Sequence, residues 1–359
     1  MSTTPLAPPT VFETFEKEYY GVSHETANIF GFQAIMRRLA RKRSALFGLV
    51  IICLLVFVAA FAPWLAPHDR NLIYKRANLV PPVGWTKIPG STRVDFAPEK
   101  PPFHLTQEEV DKELTPVAKK QYRSPYKATD GNYYFLLGTD KAGRDIMSRL
   151  IYGARISLIV GIAAELINIL IGVAIGASAG FYGGRLDNLL MRFTDIFFAF
   201  PSLLLAISLL AALEHPGLWS IFVALGISGW TPIARIVRGQ VLAVKENEFI
   251  QAARAQGASD FRLIMTHIMP NSLAPIIVVS TLGVAGNILG EAGLSFLGLG
   301  IQPPEPSWGN MLAEGRASID TAWWVSLLPG LCIVFTVLGF NLLGDGLRDA
   351  LDPRLKQQN

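Results

Sequence analysis

The sequence predicts an all-α integral membrane protein: six transmembrane helices, N- and C-termini cytoplasmic, and a polar extracytoplasmic insertion after the first helix. Three observations carry this. Of 359 residues 51% are apolar and only 17% are charged, where ordinary soluble domains carry about 25% charge, and mean hydropathy is +0.36. The charge depletion is uneven, because residues 67–150 are rich in Lys, Asp, Glu and Pro while the rest reads as long apolar runs. Lys and Arg near the ends of those runs give a consistent orientation across a bilayer.

The first run, ALFGLVIICLLVFVAAFAPWLA at 45–66, has no charge and exceeds the roughly 20 residues needed to cross a 30 Å core. Its flank RRLARKR and the AFA triplet imitate a cleaved leader. The run is too long for one, and about forty mostly polar residues precede it, so it is an uncleaved anchor. Arg37, Arg38, Arg41, Lys42 and Arg43 place segment 1–44 in the cytoplasm. Its first thirty residues have the composition of a disordered tail.

Residues 67–150 then fall outside, since loops this long translocate largely regardless of charge. Turn punctuation (PPVG, PEKPP, TDGN) and one short polar helix in 105–122 mark them as a mobile, variable insertion, with a dedicated binding module as the alternative. Within this segment Asp140 to Gly143 reads as a turn, and Gly138, Thr139, Asp140, Gly143, Arg144 and Asp145 are the outer interfacial or gating candidates. Ile146, Met147, Leu150 and Ile151 follow as one apolar face opposite Asp145 and Arg149, which are spaced for an i, i+4 ion pair. This is an outer interfacial helix, with docking or gating as its functional alternative.

Five further runs complete the core 151–347, at 154–180, 189–213, 218–244, 272–299 and 323–344. They are rich in Gly, Ala and Ser, which suits close helix–helix packing. Ionisable and amide groups inside them are expensive and therefore mark candidate pathway residues: Glu165, Asn287 and Glu291, with Asp195 nearer the inner surface. For Glu165 a hydrogen bond to a neighbouring helix is an equal alternative, and for Glu291 a packing or gate role. Arg235 and Arg238 are placed to snorkel inward. Six crossings return the tail 348–359, with Arg348, Arg354 and Lys356, to the cytoplasm.

Between the fourth and fifth runs lies a polar hairpin, 245–271. Its first helix, Glu248 to Gln256, ends at Gly257, which reaches the left-handed region without penalty. Ser259 or Asp260 caps a second helix, Phe261 to Met269, which Pro270 closes. Ala252, Ala253 and Ala255 leave the first helix bare, so another protein can approach its backbone.

Catalytic function has no foothold, for no GxxxxGK[ST], HExxH or GxSxG occurs. Cys53 and Cys332 lie in apolar runs without metal-ligand or disulfide spacing, and His215 and His267 are interfacial, so no metal or cofactor site is assigned. The net charge of +4 is not gathered into a basic patch interleaved with aromatics, which argues against nucleic acid and leaves membrane lipid as the surrounding medium.

The hairpin resembles the EAA signature of ATP-binding-cassette importer permeases, with Gln251, Ala252, Ala253, Gly257 and Pro270 at the signature positions. Gln251 replaces the usual glutamate, although Glu248 lies one turn earlier, and Arg254 and Asp260 complete the polar surface. LGTDKAGRDIMSRLIYGARISL (137–158), FYGGRLDNLLMR (181–192), EAGLSFLGLGIQPPEPSWGNMLAEGR (291–316) and NLLGDGLRDALDPRL (341–355) are similar to the dipeptide/oligopeptide/nickel permease family, second-subunit branch. The resemblance implies a homologous second permease, two cytoplasmic ATPases that bind ATP and magnesium and grip the hairpin, and an extracytoplasmic solute-binding protein. It also implies a bacterial inner membrane and import of short peptides. Nickel or another solute is the alternative cargo, and a stand-alone secondary transporter the alternative class; the cytoplasmic hairpin and the absence of a clear inverted repeat count against the latter.

Overall fold

The computed structural model describes residue 39 and residues 42–87, 94–113, 132–213 and 217–351. The basic cluster at 37–41, the tail charges Arg354 and Lys356, His215, the TDGN turn and most of the expected helix 105–122 lie outside those residues.

The chain is helical, and its apolar helices form a bundle. Helix α1 (Arg43–Ala60) breaks at Phe61 and continues as the single turn α2 (Ala62–Leu65). After the insertion come α4 (Ile146–Tyr182), α5 (Gly184–Ala199), α6 (Ser202–Ala212), α7 (Leu218–Ser228), α8 (Thr231–Lys245), α9 (Glu248–Ala255), α10 (Asp260–Phe296), α11 (Trp308–Gly315) and α12 (Trp324–Leu351). Among the described residues four helices, α1, α4, α10 and α12, are long and apolar enough to cross a membrane unbroken. The third and fourth expected spans are broken pairs, α5 with α6 bent by 89° and α7 with α8 bent by 44°.

Both breaks have a local cause. Phe200 precedes Pro201 and takes the extended conformation that a following proline favours (ψ 134°). Gly229, Trp230 and Pro232 interrupt the second pair, where a proline cannot donate to the preceding turn but suits the first turn of a new helix.

Helices α4 and α8 approach closely because α4 presents glycine every fourth residue. A side-chain carbon at Gly172 would lie 2.7 Å from Ile233, at Gly176 2.4 Å from the Ala234 carbonyl, and at Gly180 2.9 Å from that of Arg238. Without a hydrophobic driving force in lipid, this dispersion contact between backbones is what holds such helices together. Large apolar side chains along α1, such as Phe47, Val50 and Leu54, are exposed, as befits a helix facing lipid or another subunit.

The insertion differs from its expectation. Its described residues pack around a small core of their own, Tyr74, Ala77, Val80, Leu105, Val110, Tyr133 and Phe135. To this core contribute the antiparallel ribbon of β3 (His104–Leu105) with β4 (Tyr133–Tyr134) and the helix α3 (Gln107–Glu113), while a second ribbon, β1 (Trp85–Lys87) with β2 (Val94–Phe96), packs Val94 against the bundle. Over these residues the segment is a packed module, because aromatic burial compensates for its polar composition. The expected interfacial helix is not separate either: α4 begins at Ile146 and runs unbroken into the membrane.

Candidate functional site

Three polar constructions stand out, one at each end of the bundle and one between.

At the insertion end, the turn residues fold inward. Thr139 and Asp145 are fully buried and Asp140 is 3% exposed. Asp140 accepts from the Ala142 and Arg144 amides, both at 2.9 Å, and from Arg144 Nε at 2.6 Å. Arg144 reaches on to Glu314 at 2.7 Å, and Arg149 lies 3.6 Å from both Asp140 and Glu314. The expected ion pair between Asp145 and Arg149 is not formed. Asp145 is instead the N-cap of α4, accepting from the Ser148 amide at 2.7 Å and its hydroxyl at 2.6 Å. Burial raises the Asp145 carboxyl above the ordinary carboxylate range, outweighing the nearby His68 and the Ser148 hydrogen bonds. Arg149, expected on a polar face, is fully buried.

Glycines close this knot. Gly138 (φ +78°) and Gly143 (φ +80°) adopt the left-handed region, and an added carbon would lie 2.4 Å from the Val80 carbonyl and 2.1 Å from that of Tyr74. The Thr139 carbonyl accepts from Trp324 Nε1 at 3.1 Å, tying the turn to α12, and its hydroxyl donates to the Ala77 carbonyl. Glu314 had no signal of its own in the sequence; only the fold brings it to Arg144.

At the opposite end, the hairpin is open. Helix α9 ends with the Gly257 amide donating to the Arg254 carbonyl and the Ala258 amide to that of Ala253, with Gly257 at φ +84°. This is the double-bonded C-terminal motif that a glycine permits. Of the two cap candidates Ser259 is used, accepting from the Arg262 amide, and Asp260 begins α10. Ile250, 1% exposed, pins α9 to Leu263, Ile268, Val237 and Val241. Glu248, Gln251, Ala252, Arg254 and Gly257 are exposed, Ala253 is half-buried, and the large apolar Phe249, Phe261 and Met265 are exposed beside them. Gln251 donates to the Glu246 carbonyl at 3.2 Å.

Pro270 does not close the hairpin. Residues 260–296 are one continuous helix, in which Leu263–Ile268 widens to a π-turn and the Met269 amide donates to the Ile264 carbonyl. The wider turn admits the proline ring and its missing amide, which in a regular α-helix would force a kink. Nor do Arg235 and Arg238 simply snorkel: Arg235 pairs with Asp195 at 2.7 Å and Arg238 bidentately with Asp187 at 2.6 and 2.7 Å, fastening α5 to α8.

Between the ends, Glu165 lies near the middle of α4 and is 3% exposed. Its Oε2 accepts from Asn287 Nδ2 of α10 at 2.9 Å and from Asn168 Nδ2 at 3.1 Å. The sequence reading missed Asn168, although its i+3 spacing from Glu165 places it on the same helix face. Both readings of Glu165 meet here, because the bonded carboxyl also lines a cavity of about 340 Å³ with Ser202, Ser228 and Gly283. Glu291 is separate. It is fully buried and holds Ser295 at 2.7 Å and Ser157 at 3.4 Å, so it packs α10 against α4.

Cys53 and Cys332 are free, and no cluster of potential metal ligands occurs among the described residues.

Residues 172–357 match the family model of the binding-protein-dependent transport system inner membrane component, and residues 32–82 match that of the N-terminal TM domain of oligopeptide transport permease C. The chain belongs to this permease family. It is 40% identical to the di/tripeptide transport system permease protein DppC of Pseudomonas aeruginosa, over 88% of this chain and 90% of that one. It is 39% identical to the dipeptide transport system permease protein DppC of Bacillus subtilis, over 90% and 86%. The glutathione transport system permease protein GsiD of Pectobacterium atrosepticum is 44% identical over 66% of this chain and 81% of that one. Among solved structures, the inward-facing MetNI methionine ABC transporter matches 58% of this chain and 98% of its own chain, at a TM-score of 0.50 and 19% identity. That likeness concerns the fold. The permease is thus a multi-pass membrane component of a transport system, and the resemblance drawn from its motifs holds.

Proposed function

We propose that the chain is one of two membrane subunits of an ATP-driven importer that carries short peptides into the bacterial cytoplasm. The observation that carries this reading is the hairpin: a bare, exposed surface around Ala252, Ala253 and Gly257, pinned by Ile250 and continuous with the 37-residue helix α10. An exposed apolar patch beside small residues suits a partner's groove. Movement of a partner at Glu248, Gln251, Arg254, Gly257 and Asp260 passes through the packing of Ile250 on Leu263 and Ile268 into α10, and along that rod, past Pro270, to Asn287 in the membrane.

In this reading the chain hydrolyses nothing itself. Two cytoplasmic ATPases bind ATP and magnesium and grip the hairpin, a homologous permease completes the pathway, and an extracytoplasmic binding protein delivers the ligand. Segments 1–44, 245–271 and 348–359 face the cytoplasm and 67–150 faces outward across an inner membrane. The turn 138–145 acts as the rigid outer base of α4 rather than as a moving gate. Reversing a population from 1:99 to 99:1 requires about 5.5 kcal/mol of differential binding, which ATP binding by the partners provides. The peptide class follows from the relatives whose names carry dipeptides, tripeptides and oligopeptides.

The test is trialanine uptake into vesicles containing this chain and its second permease, with and without the ATPases, ATP and the binding protein. Uptake is expected only with all of them. Uptake by this chain alone, driven by an ion gradient, would contradict the reading.

A further inference from the structure

The cavity beside Glu165 is rich in acceptors and poor in donors. Glu165 Oε2 is satisfied by Asn168 and Asn287. Its Oε1 and the Asn168 Oδ1, both buried, receive no hydrogen bond. The Ser280 hydroxyl beside the carboxyl is an unspent donor, one proton against two unbonded acceptors, and the Ser228 hydroxyl spends its proton on the Leu225 carbonyl at 3.1 Å. No Lys or Arg pairs with Glu165 among the described residues, whose ion pairs lie elsewhere. A buried carboxylate without a counter-charge and with one oxygen unbonded is costly in so apolar a place.

A cavity lies against Glu165 and Asn168. The cavity holds about 340 Å³, at the lower end of the size of small-ligand sites. It lies where both helix breaks meet, with Ser202 after the first and Ser228, Gly229 and Pro232 at the second. Broken helices are tolerated at membrane depth where they line a cavity. Gly283 is part of the same construction, since a side-chain carbon there would lie 2.4 Å from the Glu165 carboxyl.

We infer that the Glu165 cavity is a midway subsite for the ammonium group of the transported molecule, in a peptide its free amino terminus. An ammonium carries three N–H donors and one positive charge. It would satisfy Glu165 Oε1 and Asn168 Oδ1 together and supply the missing counter-charge. This rests on the peptide-import reading and adds the chemical group that the membrane interior recognises.

The experiment compares uptake of trialanine and N-acetyl-trialanine by the complete transporter, wild type and Glu165→Gln. Any selectivity of the binding protein is common to both transporters, so the ratio of the two acetylation penalties isolates Glu165. Acetylation is expected to cost wild type at least about tenfold more in kcat/KM than it costs the variant, the worth of one charge-assisted hydrogen bond. An equal penalty in both, including exclusion of the acetylated peptide from both, overturns the inference while leaving peptide import intact. Absence of wild-type trialanine uptake overturns the import reading and the inference with it. A penalty on replacing sodium by choline that appears in wild type alone, with equal acetylation penalties, assigns the cavity to a metal cation and also overturns it. If Glu165→Gln fails to assemble, Glu165→Asp withdraws the charge by one methylene and is put to the same ratio, with a smaller acetylation penalty than wild type expected.

Discussion

The charged knot at the insertion end and the hairpin at the opposite end both hold glycines at positive φ, yet their surroundings are opposite. A carbon added at Gly143 would strike the Tyr74 carbonyl at 2.1 Å, whereas one added at Gly257 would meet nothing within 4 Å. Asp140 and Arg144 are hydrogen-bonded inside the fold, and Arg149, though its buried Nε and Nη2 make no hydrogen bond, lies within 3.6 Å of the Asp140 carboxylate. Glu248, Gln251, Ala252 and Arg254 face outward. The first construction finds its counter-charges within this chain, and the second has a shape that its own chain does not use. Two motifs of equal prominence in the sequence thus serve different ends, and the space around a glycine tells them apart.

Substitutions sharpen the contrast. Gly143→Ala combines a backbone clash with a strained φ and should cost about 3 kcal/mol or more, read as a sharp fall in the melting temperature of the purified permease in detergent. Asp140→Asn should cost about 3 kcal/mol, because it leaves buried guanidinium groups short of charge. A melting temperature unchanged in both would break the comparison at the insertion end.

Asp145→Asn should be milder. It keeps the acceptor for the Ser148 amide and removes a charge that burial already disfavours. The sign follows from the raised pKa. The folded state holds this proton more tightly than the unfolded one, so the stability the proton contributes is present at low pH. It is lost as pH rises from the unfolded pKa through the raised folded one. Melting curves of wild type and Asp145→Asn should therefore converge at low pH, with the wild type losing more as pH rises through that window.

The smallest effect is expected at the hairpin. Gln251→Glu forfeits the exposed bond to the Glu246 carbonyl and should change stability by under about 1 kcal/mol. A larger loss would mean that Gln251 supports the fold of this chain rather than a surface for a partner.

The sequence made the helical membrane class legible because apolar length is a direct requirement of the bilayer. It made the end of α9 and the start of α10 legible because Gly257 and Ser259 act within a few positions. It left the broken spans unread, since Pro201 and Pro232 lie inside runs long enough to be taken as one crossing each. It misread Arg149 because an i, i+4 spacing offers Asp145 as a partner, and only the fold brings Asp140 and Glu314 to it. Pro270 misled for a related reason: a π-turn, which no short pattern announces, lets the helix pass through it. The packed insertion was hidden because its core joins Tyr74, Leu105 and Phe135 from distant stretches.

The central claim is that the hairpin is a docking surface, and Gly257→Asp tests it most directly. The open space around Gly257 lets the permease itself absorb the change at about 1 kcal/mol for the left-handed backbone. In the complete transporter, the variant is expected to keep its melting temperature within a few degrees while ATP-driven trialanine uptake falls at least about tenfold and ATP hydrolysis no longer responds to the loaded binding protein. Unchanged assembly, stimulated hydrolysis and uptake would contradict the account.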